Sequence, residues 1–354
     1  MLPPLRFEPI LKPRAWGGGR LPLSAQPSRL AAAAAAPSKP VGESCPIGES
    51  WEVADLDEAP RGDATSIVAE GPFAGRSIHE LRLSHEDELL GIASRGPRGA
   101  FPLLVKYLDA RENLSVQVHP SPAYARAHPK AHLKTEAWVI VDAAPHARVY
   151  RGLRASTTPE AFARALAAGT VLEHLEVFEV ARGDCIYLPS GTCHALGAGL
   201  LVAEVQTPSD TTFRVWDWNR NDPARPLHLD EARASILFGG AQSDGVRGVV
   251  RAADAETLAA AGVTTRLLCG APAFRLEWME TAEAAAIPIE ATGVPEVWMT
   301  IDGVVRWQTA SGELRANRGA TVLRPAAVEA GEVVLAPGTT VLRAFCPSPL
   351  DRAT

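Results

Sequence analysis

The sequence predicts a mainly β protein built from two β units, of which the first is a small barrel or sandwich. Short segments of alternating apolar and polar residues, separated by tight turns, dominate the stretch from about residue 104 to residue 215. A second β-rich stretch follows residue 245. The length of 354 residues also exceeds that of one typical small domain and therefore indicates two.

Composition and charge narrow the class of protein. Hydrophobic residues make up 46% of the chain and charged residues 21%, which is ordinary for a soluble globular protein. The formal net charge of -6 gives no general attraction for nucleic acid or an anionic membrane, although basic residues in a pocket could still bind a small anion. The five scattered cysteines lack CxxC spacing, and no basic start precedes a long apolar stretch. A cytoplasmic protein without a disulfide framework is expected.

Residues 1–100 are predicted to form an N-terminal arm, an exposed insertion and a helical segment, all packed on the first barrel. The insertion covers residues 24–46, where an alanine run stands between serines and prolines. Residues 50–54 are predicted to form a strand, and residues 79–90 a helix.

Residues 101–240 are predicted to form the first barrel, interrupted by a helix over residues 158–168. Thr158 offers an N-cap, Pro159 suits the first helical position, and Gly169 lies just beyond the end. A second helix is predicted over residues 229–237, with a Gly-Gly pair ending it.

Residues 245–354 are predicted to form a C-terminal β domain on a similar plan. All nine histidines of the chain lie at or before His228, so this domain is not expected to hold an imidazole-ligated metal. The chemistry is therefore assigned to the first barrel.

Polar residues at alternate positions mark that barrel. Along a strand, alternation places Ser115, Gln117 and His119 on one face. Lys134 and Glu136 share a face of the next segment in the same way. Buried polar groups need partners, and a divalent metal satisfies several of them at once, which makes this face a candidate active site.

A second imidazole, that of His194, follows the turn at residues 189–191, where a late strand would return towards the earlier ones. The predicted metal ligands are Gln117, His119, Glu136 and His194. Two imidazoles and a carboxylate favour zinc, whereas the amide oxygen leaves manganese or iron open. For any one of these histidines, a hydrogen-bonded role in the core or at the surface is the alternative.

Three further charged residues are candidates. Lys134 would be buried beside the cation, where it could shuttle a proton or anchor an anion, unless it is a solvated lysine at a strand end. An inward Arg214 would bind phosphate or carboxylate, unless it pairs with Asp210 or Asp217. Glu204 lies in an apolar strand and is either a general acid or base or the partner of Arg214.

The other reactive side chains are expected to be structural. His128 and His132 lie in a polar connection, and His228 lies near a helix start. Cys193 has no base and orienting group spaced around it, so it is not expected to be a nucleophile.

Several motifs resemble those of the type I mannose-6-phosphate isomerases, and most of all those of the shorter bacterial members. The motifs lie at residues 101–110, 114–120, 134–138 and 183–195, with further similarity at 11–17, 47–51 and 71–75. The resemblance covers most of residues 5–235. It implies a cupin fold, one zinc ion per chain and reversible interconversion of mannose 6-phosphate and fructose 6-phosphate.

The resemblance also implies roles for individual positions. Those that match the family's zinc ligands are Gln117, His119, Glu136 and His194. Those that match residues of its substrate pocket are Ser115, Lys134, Glu204 and Arg214. The chain departs from the family at Ser121-Pro122 and in the insertion, and neither departure touches a proposed ligand.

The expected reaction is an aldose–ketose isomerisation by proton transfer through a cis-enediol. Arg214, helped by Ser115 and Lys134, would hold the phosphate or a developing oxyanion, and either Lys134 or Glu204 would move the proton. A non-catalytic sugar-binding or regulatory cupin is one alternative, but it would not need all these charged groups. A metal-dependent oxygenase is another, but Gln117 as a fourth ligand would crowd oxygen out. The oligomeric state is left open.

Overall fold

The computed structural model describes residues 1–23, 46–56, 63–220, 222–239 and 246–349. Nearly all of the predicted insertion at residues 24–46 lies outside these ranges, as does the second glycine of the predicted Gly-Gly helix end. Within the described ranges the chain is mainly β, as predicted, and its strands form four sheets.

The strands and helices are named here in chain order. The strands are β1 (Leu5–Arg6), β2 (Ile10–Pro13), β3 (Ile47–Val53), β4 (Leu104–Ala110), β5 (Val116–Val118), β6 (Glu136–Ala143), β7 (Arg148–Leu153), β8 (Leu175–Glu179), β9 (Cys185–Leu188), β10 (His194–Leu196), β11 (Leu200–Gln206), β12 (Phe213–Trp216), β13 (Val249–Val250), β14 (Glu256–Ala260), β15 (Val263–Ala271), β16 (Phe274–Glu280), β17 (Ala285–Ile289), β18 (Glu296–Asp302), β19 (Val304–Thr309), β20 (Gly312–Asn317), β21 (Thr321–Arg324), β22 (Gly331–Leu335) and β23 (Thr340–Phe345). The α-helices are α1 (Ile78–Ser84), α2 (Glu86–Leu90), α3 (Pro122–Ala127), α4 (Pro159–Ala168) and α5 (Leu229–Ser235).

The first β unit consists of two sheets with a common apolar core. A seven-stranded sheet in the order β13-β9-β6-β11-β4-β3-β2 packs against a five-stranded sheet in the order β12-β5-β10-β7-β8. Leu108, Trp138 and Val202 of the larger sheet share one buried cluster with Val149 and Leu196 of the smaller one. Alternation along the strands therefore directs one set of side chains into this interior, which also contains the candidate site.

The second unit repeats this plan. A seven-stranded sheet in the order β1-β21-β18-β23-β16-β15-β14 packs against a four-stranded sheet in the order β17-β22-β19-β20. The two seven-stranded sheets pack back to back, since Tyr107 and Val139 share the largest core cluster with Leu276 and Met299. Strand β1 joins the second unit and β13 joins the first, so each unit receives a strand from the other part of the chain. The domain boundaries near residues 100 and 245 stay a prediction.

The helices cover the outer face of the five-stranded sheet and the N-terminal region. Helix α4 confirms the predicted signals, because Thr158 accepts a hydrogen bond from the amide of Ala161 and Gly169 adopts the left-handed conformation. The single helix predicted over residues 79–90 is wrong: His85, with φ -140° and ψ 38°, separates α1 from α2. Helix α5 ends at Ser235, two residues before the predicted end, because Ile236 is extended.

Helix α3 was not predicted, although the sequence carries its signal. Ser121 caps it by accepting a hydrogen bond from the amide of Tyr124, and Pro122 occupies the first turn. This is the same Ser/Thr-Pro start that correctly located α4. Within the parts of the chain that the structure describes, the helices are too short or too polar to cross a lipid bilayer.

Candidate metal centre and active-site pocket

Three side chains with metal-ligating atoms meet in the interior of the first unit. His119 follows β5, Glu136 begins β6 and His194 begins β10. Their ligand atoms all lie within 4.8 Å of one another, and all three residues are buried. The Nε2 atoms of His119 and His194 each lie 3.3 Å from a different oxygen of Glu136. The predicted convergence of two imidazoles and one carboxylate is therefore present.

Backbone carbonyls determine how the two rings face the carboxylate. The Nδ1 atom of His119 lies 3.0 Å from the carbonyl oxygen of Thr211, and that of His194 lies 2.8 Å from the carbonyl oxygen of Thr192. Each Nδ1–H donates to its carbonyl, so each Nε2 directs a lone pair towards Glu136. Burial lowers the pKa of His119 to about 3 and also lowers that of His194, which keeps both rings neutral.

This arrangement places hydrogen-bond acceptors opposite one another. Among the described residues, Nε2 of His119 and Oε1 of Glu136 have no hydrogen-bond donor, and the only donor that faces Oε2 of Glu136 is the ammonium of Lys134 at 3.0 Å. Buried acceptors without a donor are costly, and a cation between them would satisfy all of them together. The donor set therefore fits a divalent metal with nitrogen and oxygen ligands.

Gln117 lies beside the cluster, directly opposite His194 in the pairing of β5 with β10. Its Nε2 is 3.2 Å from Nε2 of His194, while its Oε1 accepts a hydrogen bond of 3.4 Å from Ser115. An amide side chain keeps its shape when its oxygen and nitrogen are exchanged. Gln117 would present its oxygen to a metal after that exchange, and its role as fourth ligand stays a prediction.

Lys134 connects the cluster to a second ion pair. Its ammonium lies 3.0 Å from Glu136 and 4.0 Å from Glu204, and the residue is only 4% exposed. The alternative of a solvated lysine at a strand end is therefore wrong.

Glu204 has a partner that the sequence interpretation missed. Its carboxylate pairs with Lys106 at 3.0 Å and accepts a hydrogen bond of 3.0 Å from the indole of Trp138. The alternative pairing of Glu204 with Arg214 does not occur among the described ion pairs. Lys106 carries a signal in the sequence, since it is the one charged residue in the apolar run of residues 103–108. Both Lys106 and Trp138 pair with Glu204 across the neighbouring strands β4 and β6.

A cleft of about 340 Å³ opens beside these residues. Its lining includes four predicted substrate-pocket residues, Ser115, Lys134, Glu204 and Arg214, together with Gln117. It also includes polar residues that the sequence interpretation did not select, namely Arg14, Glu49, Lys106, Thr212 and Arg225. The predicted substrate-pocket residues therefore meet in one cleft, and Lys134 links them to the buried cluster through Glu136.

Arg214 lines the cleft and has unused hydrogen-bonding capacity. One terminal nitrogen donates to the carbonyl of Pro226 at 2.8 Å, but Nε is buried and has no partner in the described chain. The alternative pairing with Asp210 or Asp217 does not occur among the described ion pairs, and the carboxylate of Asp217 pairs instead with Arg220 at 2.5 Å and Arg225 at 3.0 Å. Burial and the neighbouring guanidinium groups lower the pKa of Arg214.

The remaining predictions for reactive side chains agree with the structure. His128 lies 3.0 Å from the carbonyl oxygen of Tyr124, His132 lies 2.7 Å from a guanidinium nitrogen, and His228 accepts from the amide of Arg214 at 3.1 Å. Burial raises the pKa of Cys193 to about 12, so a thiolate nucleophile is not available at neutral pH.

Comparison with known proteins places this site in a family. The model of the type I phosphomannose isomerase catalytic domain matches residues 5–146. The probable mannose-6-phosphate isomerase GmuF of Bacillus subtilis (strain 168) is 40% identical over 243 residues, which cover 67% of this chain and 70% of the relative. The chain belongs to the type I phosphomannose isomerases. This membership confirms the resemblance inferred from the motifs and the prediction of an isomerase.

Other members of the phosphomannose isomerases agree in sequence and fold. The mannose-6-phosphate isomerase of Streptococcus mutans serotype c is 34% identical over 242 residues, covering 68% of this chain and 69% of the relative. The crystal structure of the mannose 6-phosphate isomerase from Bacillus subtilis superimposes with a TM-score of 0.78 at 26% identity, covering 97% of this chain and 99% of that structure. The cupin-type fold is confirmed.

We expect the purified protein to contain about one divalent metal ion per chain, because the three converging protein ligands form one metal site. His194→Ala should lose it, because one imidazole and one carboxylate remain. His132→Ala is the matched control, since its ring pairs with Arg98 outside the cluster. Mass spectrometry of metal content distinguishes the two variants, and equal content in both would contradict this assignment.

Proposed function

We propose that this chain is a zinc-dependent aldose–ketose isomerase that interconverts mannose 6-phosphate and fructose 6-phosphate through a cis-enediol. The observation that carries the proposal is a buried cluster of metal-ligating groups beside a cleft that is lined by two buried lysines and the carboxylate of Glu204. Lys134 links the cleft to the cluster, since its ammonium lies 3.0 Å from Glu136. The substrate is supported by the names of the relatives. The cytoplasmic location stays a prediction.

His119, Glu136 and His194 would hold the metal, with Gln117 as the fourth ligand. Two imidazoles and a carboxylate suit zinc best among the common divalent ions. When bound, zinc supplies Lewis acidity that offsets the negative charge developing on the sugar oxygens. The carbonyls of Thr211 and Thr192 keep the two rings oriented for this role.

The charges that line the cleft indicate where the phosphate binds. The cations Arg14 and Lys106 are matched by the carboxylates Glu49 and Glu204. The buried Nε of Arg214, by contrast, has no partner among the described residues. A phosphate would supply that partner, because a guanidinium binds phosphate oxygens through paired N–H groups. Ser115 and Lys134 line the same cleft.

Glu204 is the group that we assign to proton transfer between C1 and C2. Burial and the carboxylate of Glu136 raise its pKa to about 7, although Lys106 opposes this rise. A group with a pKa near the working pH can both accept and return a proton. Lys134 is held at 3.0 Å by Glu136, so its ammonium is placed to donate to a sugar oxygen beside the metal ligands.

A coupled assay for fructose 6-phosphate formed from mannose 6-phosphate tests the proposal. Thorough chelation should abolish activity, and added zinc should restore it, because the ligand set remains once the metal is removed. Fructose 6-phosphate added directly in the presence of chelator controls for the coupling enzymes. Activity that is absent throughout, or indifferent to chelation, contradicts the proposal.

Two variants separate the roles of the carboxylate and the lysine. Glu204→Gln should lower kcat by about 100-fold and stop deuterium incorporation at C2 in heavy water, because the amide cannot accept the proton. Lys134→Ala should lower kcat but retain exchange. NMR of mannose 6-phosphate in heavy water measures the deuterium incorporated at C2, and the metal content is checked in both variants. The opposite pattern of exchange would assign the proton to Lys134.

Arg214→Ala should raise KM for mannose 6-phosphate by about 50-fold, since it removes a charged partner of the phosphate. The exposed Arg233 on α5 provides the control: Arg233→Ala should leave KM unchanged. Steady-state kinetics over a wide substrate range distinguish the two. An unchanged KM in Arg214→Ala would place the phosphate elsewhere in the cleft.

A further inference from the structure

Glu49 on β3 is a buried carboxylate that lines the cleft and lies outside the candidate metal centre. It is 8% exposed and has three polar neighbours. One oxygen accepts a 2.6 Å hydrogen bond from Arg14, and the other accepts a 2.7 Å hydrogen bond from the indole of Trp51. The same second oxygen lies 3.9 Å from the ammonium of Lys106.

Lys106 consequently lies between two carboxylates that are each held by a tryptophan. Glu204 is 3.0 Å from its ammonium on one side, and Trp138 donates to that carboxylate. Glu49 lies on the other side, and Trp51 donates to it in the same manner. Trp51 also stands directly opposite Lys106 in the pairing of β3 with β4, and the ammonium is 5.7 Å from the ring centroid.

The distances determine how many hydrogen-bond donors Lys106 keeps for a ligand. An ammonium has three N–H donors. Among the described carboxylates, Glu204 alone lies within hydrogen-bonding distance, whereas 3.9 Å to Glu49 is too long for a hydrogen bond. Glu49 therefore attracts the ammonium without occupying its donors. Glu49 thereby opposes the attraction of the same ammonium to Glu204 on its other side.

We infer that Glu49 is a positioning residue, which holds the ammonium of Lys106 at the wall of the cleft so that it can donate to an oxygen of the sugar phosphate. The inference rests on the proposed function, because it takes the sugar phosphate as the ligand of the cleft. Glu49 itself is turned towards Arg14, Trp51 and Lys106 and acts through the lysine. Its removal should therefore change affinity for the substrate more than the rate of chemistry.

Glu49→Gln tests this inference, since it keeps the size of the side chain and removes its charge. We expect the Kd for fructose 6-phosphate, measured by calorimetry, and the KM for mannose 6-phosphate each to rise about tenfold, with kcat changed less than about twofold. Glu52→Gln is the matched control: Glu52 is buried on the same strand, where it accepts a hydrogen bond from Ser50 on the opposite face.

The same titration in a Lys106→Met background shows whether Glu49 acts through the lysine. In that background, Glu49→Gln should weaken binding no further. Should Glu49→Gln fail to fold, Glu49→Asp serves instead, with a smaller rise in Kd that also disappears in the Lys106→Met background. An equal effect in both backgrounds overturns the inference, as does unchanged binding in Glu49→Gln.

The outcome for the wild-type protein separates the two proposals. Binding of fructose 6-phosphate without turnover would contradict the proposed isomerase and still allow Glu49 to be tested by calorimetry. A wild-type protein that neither binds nor converts the sugar phosphate would overturn both.

Discussion

A chain of buried charges of alternating sign is the constraint on which the rest of the site depends. The chain begins at the partly exposed Arg14 and ends at the candidate metal centre, and consecutive members lie 2.6 to 4.0 Å apart: Arg14, Glu49, Lys106, Glu204, Lys134 and Glu136. An isolated buried charge is strongly unfavourable, and removal of one partner from a buried pair costs about 3–5 kcal/mol. Each member is therefore tolerated only because its neighbours are present. The strands that carry them are held in one register as a consequence.

The second unit contains the same arrangement with the signs reversed. In the first unit, Glu204 on β11 stands opposite Lys106 on β4. In the second unit, Arg343 on β23 stands opposite Glu277 on β16 and forms an ion pair with it. On the other side of β11, Glu204 stands opposite Trp138 of β6, and on the other side of β23, Arg343 stands opposite Trp298 of β18. An ion pair with a buried carboxylate across the two central strands is thus common to the two units, although Arg343 is partly exposed and Lys106 is buried.

The position of the metal-ligating carboxylate is also repeated, but with a different partner. Glu136 and Glu296 each begin a central strand two residues before its tryptophan. In the first unit Glu136 faces two neutral imidazoles, whereas in the second Glu296 pairs with the guanidinium of Arg324 at 2.6 Å. A guanidinium supplies the positive charge there, so this carboxylate is already satisfied. The sequence also predicted that the second unit would not hold an imidazole-ligated metal, because no histidine follows His228.

Features of the fold and the site could be predicted from the sequence where residues close together in the chain determine them. Features that depend on pairing between distant strands could not. The ligand residues could be predicted, because alternation along a single strand is enough to place Gln117 beside His119 on one face, and helix α4 could be predicted from its own caps. Lys106 and Glu49 could not be recognised as site residues in the same way. The apolar run around Lys106 indicates its burial but not its partner, which depends on the register of three neighbouring strands. The sequence interpretation offered Arg214 as a partner of Glu204 and missed Lys106 for that reason, because only the pairing of β11 with β4 brings Lys106 opposite Glu204.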